Sequence, residues 1–154
     1  MSSKMIKWVY MHKAYVEWFH SAHFLSKGSS FAGDHVNLYG KIYDQAFEQY
    51  DGVVERVLGL TNNEECACPS KLAMGSLGIL QNYPSPANMP PLNIAINALQ
   101  LNENYCHFLN ELVDDMKNTC GLSIGTEDLI GGICNQLESY TYMLQQRVKE
   151  SIGV

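Results

Sequence analysis

The chain has 154 residues, 46% of them hydrophobic and 17% charged, with a formal net charge of −6. This length and composition fit one globular domain with a hydrophobic core and exclude a disordered chain. The acidic balance gives no support to a nucleic-acid-binding protein and is more typical of a surface that attracts cations.

The first third of the chain predicts two long helices, because apolar residues recur there at steps of three and four. The first helix covers residues 5–27, follows an N-terminal tail of residues 1–7, and ends at Gly28. The second covers residues 34–58 and ends at Gly59. Glycine commonly marks such helix ends.

Periodicity fades over residues 61–91, which contain all five prolines. A short helix is predicted within this stretch, over residues 71–80. A connection of this length, with some structure of its own, is typical of a crossover from one end of a helix bundle to the other.

Two more long helices follow, over residues 92–118 and 127–149. Pro91 suits the first turn of the third helix, and Thr126 is a candidate cap for the fourth. Short links around one long central crossover predict an all-α fold. The expected architecture is a single ferritin-like four-helix bundle over residues 1–154, with a short helix in the crossover between helices two and three.

Residues that can bind a metal lie at the end of the first helix and along the second. His23 and His35 supply imidazoles, and Asp51 and Glu55 supply carboxylates on one helix face. Nitrogen and hard oxygen donors together suit iron. The simpler interpretation is a hydrogen-bonded core histidine at His23 and a solvated acidic face at residues 51–55.

These residues carry a resemblance to the Dps family. The spacing of His23, Gly28, Phe31 and His35 is similar to the junction of the first two helices in that family, and residues 51–56 (Asp-Gly-Val-Val-Glu-Arg) resemble its carboxylate segment. Weaker similarity continues through residues 90–92, 126–130 and 137–144, so the resemblance spans nearly the whole chain.

The resemblance implies a hollow dodecameric shell that oxidises ferrous iron, preferably with hydrogen peroxide, and stores the ferric product. It implies an iron site between two subunits, with His23 and His35 from one chain and Asp51 and Glu55 from its neighbour. Many members of the family also protect DNA.

One interval departs from the family pattern: His35 and Asp51 are one residue further apart than the resemblance predicts. A helix turns ~100° per residue, so an extra residue inside it would misalign the ligands. Keeping the apolar register places the insertion close to His35, at the helix start or as a π-bulge. Asp34 is then a possible substitute for His35.

Two other functions stay open. Glu17 and His20 form a Glu-x-x-His motif, which other di-iron bundles use for a site inside each subunit, although no second copy is present. A shell or DNA-coating protein that lost its iron site is the other alternative. DNA binding would depend on Lys4, Lys7 and Lys13, gathered by assembly.

Further acidic and thiol groups have weaker indications. Asp44 and Glu48 are candidates for secondary acidic sites or for a solvated helix face. A second acidic cluster lies around the link between the third and fourth helices, where the resemblance implies a pore through the shell. Its members are Asp114, Asp115, Glu127 and Asp128. Cys66 and Cys68 are spaced for a soft metal but lack a second pair, so loop packing is the preferred interpretation.

The sequence also bears on the compartment. No apolar run reaches the ~18 residues of a membrane span, and histidines and charges interrupt residues 9–24, so a signal peptide is not expected. The odd count of five cysteines predicts reduced thiols, and we expect a cytoplasmic protein.

Overall fold

A computed structural model describes the backbone of residues 1–151 and the side chains of residues 1–149. The described residues are helical and include no β-strand, which confirms the predicted all-α class. The helices are α1 (Ser2–Leu25), α2 (Lys41–Thr61), α3 (Pro69–Leu80), α4 (Pro91–Thr119) and α5 (Ile124–Ser151). A π-helical segment, Gly33–Gly40, runs directly into α2, and a 3₁₀ turn, Glu64–Ala67, precedes α3.

The predicted boundaries needed two corrections. Residues 2–7, expected in a tail, form the first turns of α1, because Met5 is buried in the core and Lys4 forms an ion pair with Asp115 of α4. Thr126 does not cap α5. The helix begins three residues earlier than predicted, and Ser123 Oγ accepts the hydrogen bond from the Thr126 amide at 3.2 Å.

The four long helices contact one another in a ring, with α1 against α2 and α4, and α5 against α4 and α2. The crossover helix α3 packs on the outer side of α1. As a result α1 is buried on nearly all sides, and its largest buried side chains are Trp8, Tyr15 and Phe19. A helix covered on all sides is apolar around its whole circumference rather than along one stripe.

Within residues 1–151, no helix combines the length and the apolar character that a membrane crossing requires.

A buried histidine joins three of these helices. His12 of α1 donates from Nε2 to the carbonyl of Ala46 on α2 at 2.7 Å, so its Nδ1 accepts from the Tyr105 hydroxyl of α4 at 2.6 Å. The Trp8 indole in turn donates to Tyr105 at 3.2 Å. Burial lowers the pKa of His12 to about 4, because the charged imidazolium would be desolvated there.

This shift predicts acid sensitivity. His12 takes up a proton near its ordinary pKa of 6.5 in the unfolded state, but only near pH 4 in the folded state. The contribution of neutral His12 to the free energy of unfolding is therefore fully present above pH 6.5 and is lost as the pH drops towards 4. Between pH 7 and pH 5 we expect the free energy of unfolding to fall by about 2 kcal/mol from His12 alone.

Urea unfolding at both pH values measures this loss. His12→Gln should be less stable at pH 7 and should remove the His12 share of the pH dependence. His107→Gln is the control, because His107 is exposed and, in the part of the chain that the structure describes, pairs with Glu111 of its own helix. An unchanged pH dependence in His12→Gln contradicts the assignment.

Candidate metal centre

The structure brings His23 and His35 together face to face. Their rings stack with centroids 3.8 Å apart and planes 12° from parallel. Each Nδ1 lies against the backbone carbonyl of the other residue, at 2.5 Å for His23 and 2.7 Å for His35. The last turn of α1 and the π-helical segment are therefore joined by a reciprocal pair of side-chain-to-backbone hydrogen bonds.

This exchange fixes the proton on both rings. A carbonyl oxygen can only accept, so each Nδ1 carries the hydrogen and, in the neutral imidazole, each Nε2 keeps its lone pair. Neither Nε2 has a hydrogen-bond partner among the described residues. Metal-binding histidines are commonly oriented by such a bond from the other ring nitrogen.

The position of His23 explains why its carbonyl is free to accept. The last four carbonyls of a helix have no partner within the helix. Since α1 ends at Leu25, the His23 carbonyl is one of them, and it accepts from Ser26 Oγ at 2.9 Å as well as from His35. The end of α1 thus offers the His23 carbonyl as an acceptor, and both Ser26 and His35 use it.

Gly40 has no β-carbon, and the His23 ring and the His35 carbonyl lie where that atom would be. A β-carbon at this position would contact the His35 carbonyl oxygen and lie 2.8 Å from His23 Nδ1. Both are closer than a real side-chain carbon tolerates, and Gly40 is itself buried. Sequence reasoning missed this residue. The available signal was a lone glycine inside an otherwise helical pattern.

A π-helical segment is present near His35, where the sequence predicted either a longer helix start or a π-bulge. It spans Gly33–Gly40, and its wider turn takes up an extra residue before the regular α2 begins. Asp34, considered as a substitute ligand, is not available for that role. It is 3% exposed and accepts two hydrogen bonds from Arg147 of α5, at 2.8 and 3.0 Å. This ion pair fixes the segment next to His35.

Asp51 and Glu55 lie together on α2 but far from the histidines of the same chain. Both carboxylates are exposed, and neither forms an ion pair within the described residues. Asp51 is eleven residues beyond Gly40, about 16 Å along the helix at 1.5 Å per residue. Among the side chains of residues 1–149, no three from His, Cys, Asp or Glu are grouped so that they could hold a metal ion. Within one chain the two histidines and the two carboxylates therefore form separate groups.

The alternative pair, Glu17 and His20, is engaged elsewhere. Glu17 forms an ion pair with Lys13 at 2.7 Å. The His20 ring stacks on Tyr43 of α2, with centroids 3.8 Å apart and planes 4° from parallel. The two side chains do not converge with a third ligand in the described residues.

Exposed aromatic rings surround the histidine pair on the α1–α2 face. Phe31 stacks on His35 at 4.8 Å, and Phe24 lies against His20 at 4.4 Å. Phe24 and Phe47 are 63% and 58% exposed. Next to them is a pocket of about 270 Å³, lined by Lys13, Val16, Glu17, His20, Tyr43, Phe47 and Tyr50. Large apolar side chains exposed together mark a surface that another molecule covers.

The remaining acidic candidates are either exposed or paired with a lysine. Asp44 and Glu48 are exposed on α2. In the acidic cluster at the α4–α5 link, Asp115 pairs with Lys4 and Glu127 with Lys117, while Asp114 and Asp128 are exposed.

The three lysines considered for DNA binding all have contacts within the chain. Lys4 and Lys13 are in ion pairs, and Lys7 lies 5.9 Å above the Phe108 ring. Cys66 is buried in the 3₁₀ turn, and the Cys68 sulfur lies 3.4 Å from Ser70 Oγ.

Comparison of the chain with protein-family models, with curated proteins and with solved structures found no match. The function proposed below therefore rests on side-chain chemistry and geometry.

The role of Gly40 is testable by adding one methyl group. Gly40→Ala should displace the His23 ring and lower the free energy of unfolding by about 1–3 kcal/mol, because the β-carbon has no space. Gly33→Ala is the matched control, since its β-carbon would meet nothing within 4 Å. It should be neutral or up to about 1 kcal/mol more stable.

Two measurements decide this. Urea unfolding gives the stability, and ¹⁵N imidazole NMR of the wild-type protein should show His23 and His35 with the proton on Nδ1. In Gly40→Ala this pattern should be lost. A variant as stable as Gly33→Ala, with both tautomers retained, contradicts the proposed packing.

Proposed function

We propose that this chain is a Dps-type, ferritin-like subunit of a hollow shell, a dodecamer, that oxidises ferrous iron and stores the ferric product. Ferrous iron is the substrate. It binds between two subunits, to His23 and His35 of one chain and Asp51 and Glu55 of the next. Hydrogen peroxide or dioxygen is the oxidant.

The observation that carries this proposal is the exchange of hydrogen bonds between His23 and His35. A histidine that merely fills a core uses both ring nitrogens, as His12 does. In the His23–His35 pair only Nδ1 is used, and neither Nε2 has a hydrogen-bond partner in the described residues. Two neutral imidazoles held in this way form half of a site that suits iron.

The second half of the site has to come from another chain. The carboxylates of Asp51 and Glu55 are exposed, four residues apart on one face, and free of ion pairs in the described residues. The aromatic rim around the histidines supplies a surface for a partner to cover. If a two-fold axis relates the chains, one contact creates two equivalent sites.

The ring of α1, α2, α4 and α5, with α3 in the crossover, supports a ferritin-like bundle. The π-helical segment can accommodate the extra residue by which this chain departs from the Dps pattern. The regular α2 that follows keeps Asp51 and Glu55 in helical register with each other.

Each group has a defined part in the chemistry. The imidazoles and carboxylates hold ferrous iron with positions left open for the oxidant. Two ferrous ions give one electron each to hydrogen peroxide, which is reduced to two hydroxide ions. The carboxylates offset the growing positive charge as iron becomes ferric, and the net charge of −6 favours the approach of cations.

Replacing both carboxylates tests the mechanism. Asp51→Ala/Glu55→Ala should slow peroxide-dependent oxidation of ferrous iron at least about tenfold, because half of the ligands are lost. Asp44→Ala/Glu48→Ala is the matched control, with the same spacing, helix and charge change. The assay is anaerobic ferrous titration followed by oxidant. Equal rates in both variants contradict the site, and a wild-type protein that neither binds nor oxidises iron indicates a non-catalytic shell.

A mixing experiment separates a site between chains from a site within one chain. His23→Ala and Asp51→Ala/Glu55→Ala should each be inactive alone. When the two chains are co-expressed, each mixed pair contains one complete site, so random pairing should restore about a quarter of wild-type activity. No recovery in mixed assemblies contradicts a shared site and favours the di-iron alternative with Glu17 and His20.

The native mass tests the assembly independently. Twelve subunits of 17.3 kDa give a particle of about 208 kDa. Light scattering on the iron-free protein measures it directly. A monomer at micromolar concentration contradicts any shared site.

A further inference from the structure

A polar pocket of about 340 Å³ lies between α2 and α5. Lys41 and Gln45 line it from α2, and Asn135, Ser139 and Tyr140 line it from α5. Within each helix these residues recur at a step of about four, so they lie on one helix face. The polar lining therefore consists of amides, hydroxyls and one ammonium group, and none of the described residues that line the pocket carries a carboxylate.

Two contacts between the helices bracket this pocket. At one end Arg147 of α5 donates to Asp34, next to the start of α2, at 2.8 Å. At the other end Gln49 of α2 donates to Gln136 of α5 at 2.6 Å. Between these two levels no side-chain hydrogen bond joins the helices in the part of the chain that the structure describes. The seam is therefore closed above and below the pocket and open at its level.

Two polar atoms at this pocket have no hydrogen-bond partner. The Tyr140 hydroxyl and Gln45 Oε1 are both buried, and neither is bonded to any described residue. Tyr140 as a whole is 3% exposed. Polar groups buried this deeply are nearly always hydrogen-bonded. Because both side chains line the pocket, a polar molecule bound there can supply the missing partners once the half-buried Gln45 side chain turns to admit it.

Lys41 determines which charge the pocket prefers. Its side chain is exposed and forms no ion pair with any described residue. The acidic residues nearest to the lining in sequence, Asp44 and Glu138, are exposed and do not line the pocket. An ammonium group without a counterion, surrounded by amides and hydroxyls that can donate, suits an oxyanion and disfavours a cation.

We propose that the α2–α5 pocket binds a small hydroxylated molecule that carries one phosphate or carboxylate group. Lys41 pairs with the oxyanion, the Tyr140 hydroxyl donates to a ligand oxygen, and Gln45 Oε1 accepts from a ligand hydroxyl. A pocket of this volume is in the range that holds small organic ligands, which favours an organic anion over a bare inorganic ion. Burial raises the pKa of Tyr140, so its hydroxyl keeps its proton and can donate.

This site is separate from the iron site and does not depend on the function proposed above. None of its lining residues is among the proposed iron ligands. Binding can therefore be measured on the iron-free protein.

Equilibrium dialysis of the full-length, iron-free protein tests the proposal with three radiolabelled probes of one carbon skeleton: glycerol 3-phosphate, glycerate and glycerol. A chelator removes metal ions that could bind the anions instead. We expect one molecule of at least one anion to bind per chain, saturably, with a Kd of about 1 mM or tighter, and glycerol not to saturate. The anion that binds more tightly shows whether the group is phosphate or carboxylate. Equal binding of all three probes, or of none, overturns the proposal.

A lysine variant places the anion in the pocket. Lys41→Met should weaken binding of the preferred anion about tenfold or more, because a hydrogen bond to a charged group is lost. Lys71→Met is the matched control, with the same charge change at an exposed lysine of α3. Equal affinities in the two variants contradict a site at Lys41.

A tyrosine variant separates binding from folding. Since the Tyr140 hydroxyl has no partner in the free protein, Tyr140→Phe should keep or raise Tm while the affinity for the anion falls several-fold. Tyr15→Phe is the contrast, because the Tyr15 hydroxyl donates to Asn102 at 2.7 Å and its loss should lower Tm. A Tyr140→Phe variant that loses Tm as Tyr15→Phe does, or that binds the anion as tightly as wild type, overturns the role of this hydroxyl.

Discussion

The exchange of two hydrogen bonds between His23 and His35 is the constraint on which the site depends. It satisfies a carbonyl at the end of α1, fixes the tautomer of both rings, and holds the start of the π-helical segment against α1. Each ring donates to the backbone carbonyl of the residue that carries the other ring. Each hydrogen bond therefore restricts the position of both rings. The same contact therefore closes the α1–α2 junction and leaves the Nε2 of each neutral ring with its lone pair.

The opposite side of the π-helical segment is held by a different interaction. Asp34 and Arg147 form a buried ion pair with two hydrogen bonds, and it links the residue next to His35 to the end of α5. A buried ion pair adds little net stability compared with apolar packing, but removing one partner leaves an uncompensated charge. Its main effect is positional. The segment is fixed by contacts with both α1 and α5.

The helices were largely predictable from the sequence, because periodicity and glycine or proline boundaries are local signals. The π-helical geometry near His35 was predictable as one of two possibilities, since the apolar register of the second helix had to be kept. The pairing of Asp34 with Arg147 was not, because the two residues are 113 positions apart and nothing local indicates that they meet. Gly40 shows the same limit. Its role is to lack a β-carbon beside a ring from another helix.

In the proposed two-chain site, separating the ligands has a chemical consequence. Two neutral imidazoles alone bind a ferrous ion weakly, and two exposed carboxylates on a helix bind it weakly and without selectivity. Only the contact between chains brings both kinds of donor to one ion. Since about 16 Å of helix separates the carboxylates from the histidine contact within a chain, folding alone cannot complete the site. Iron oxidation then begins only after assembly, and the ferric product forms where a shell can enclose it.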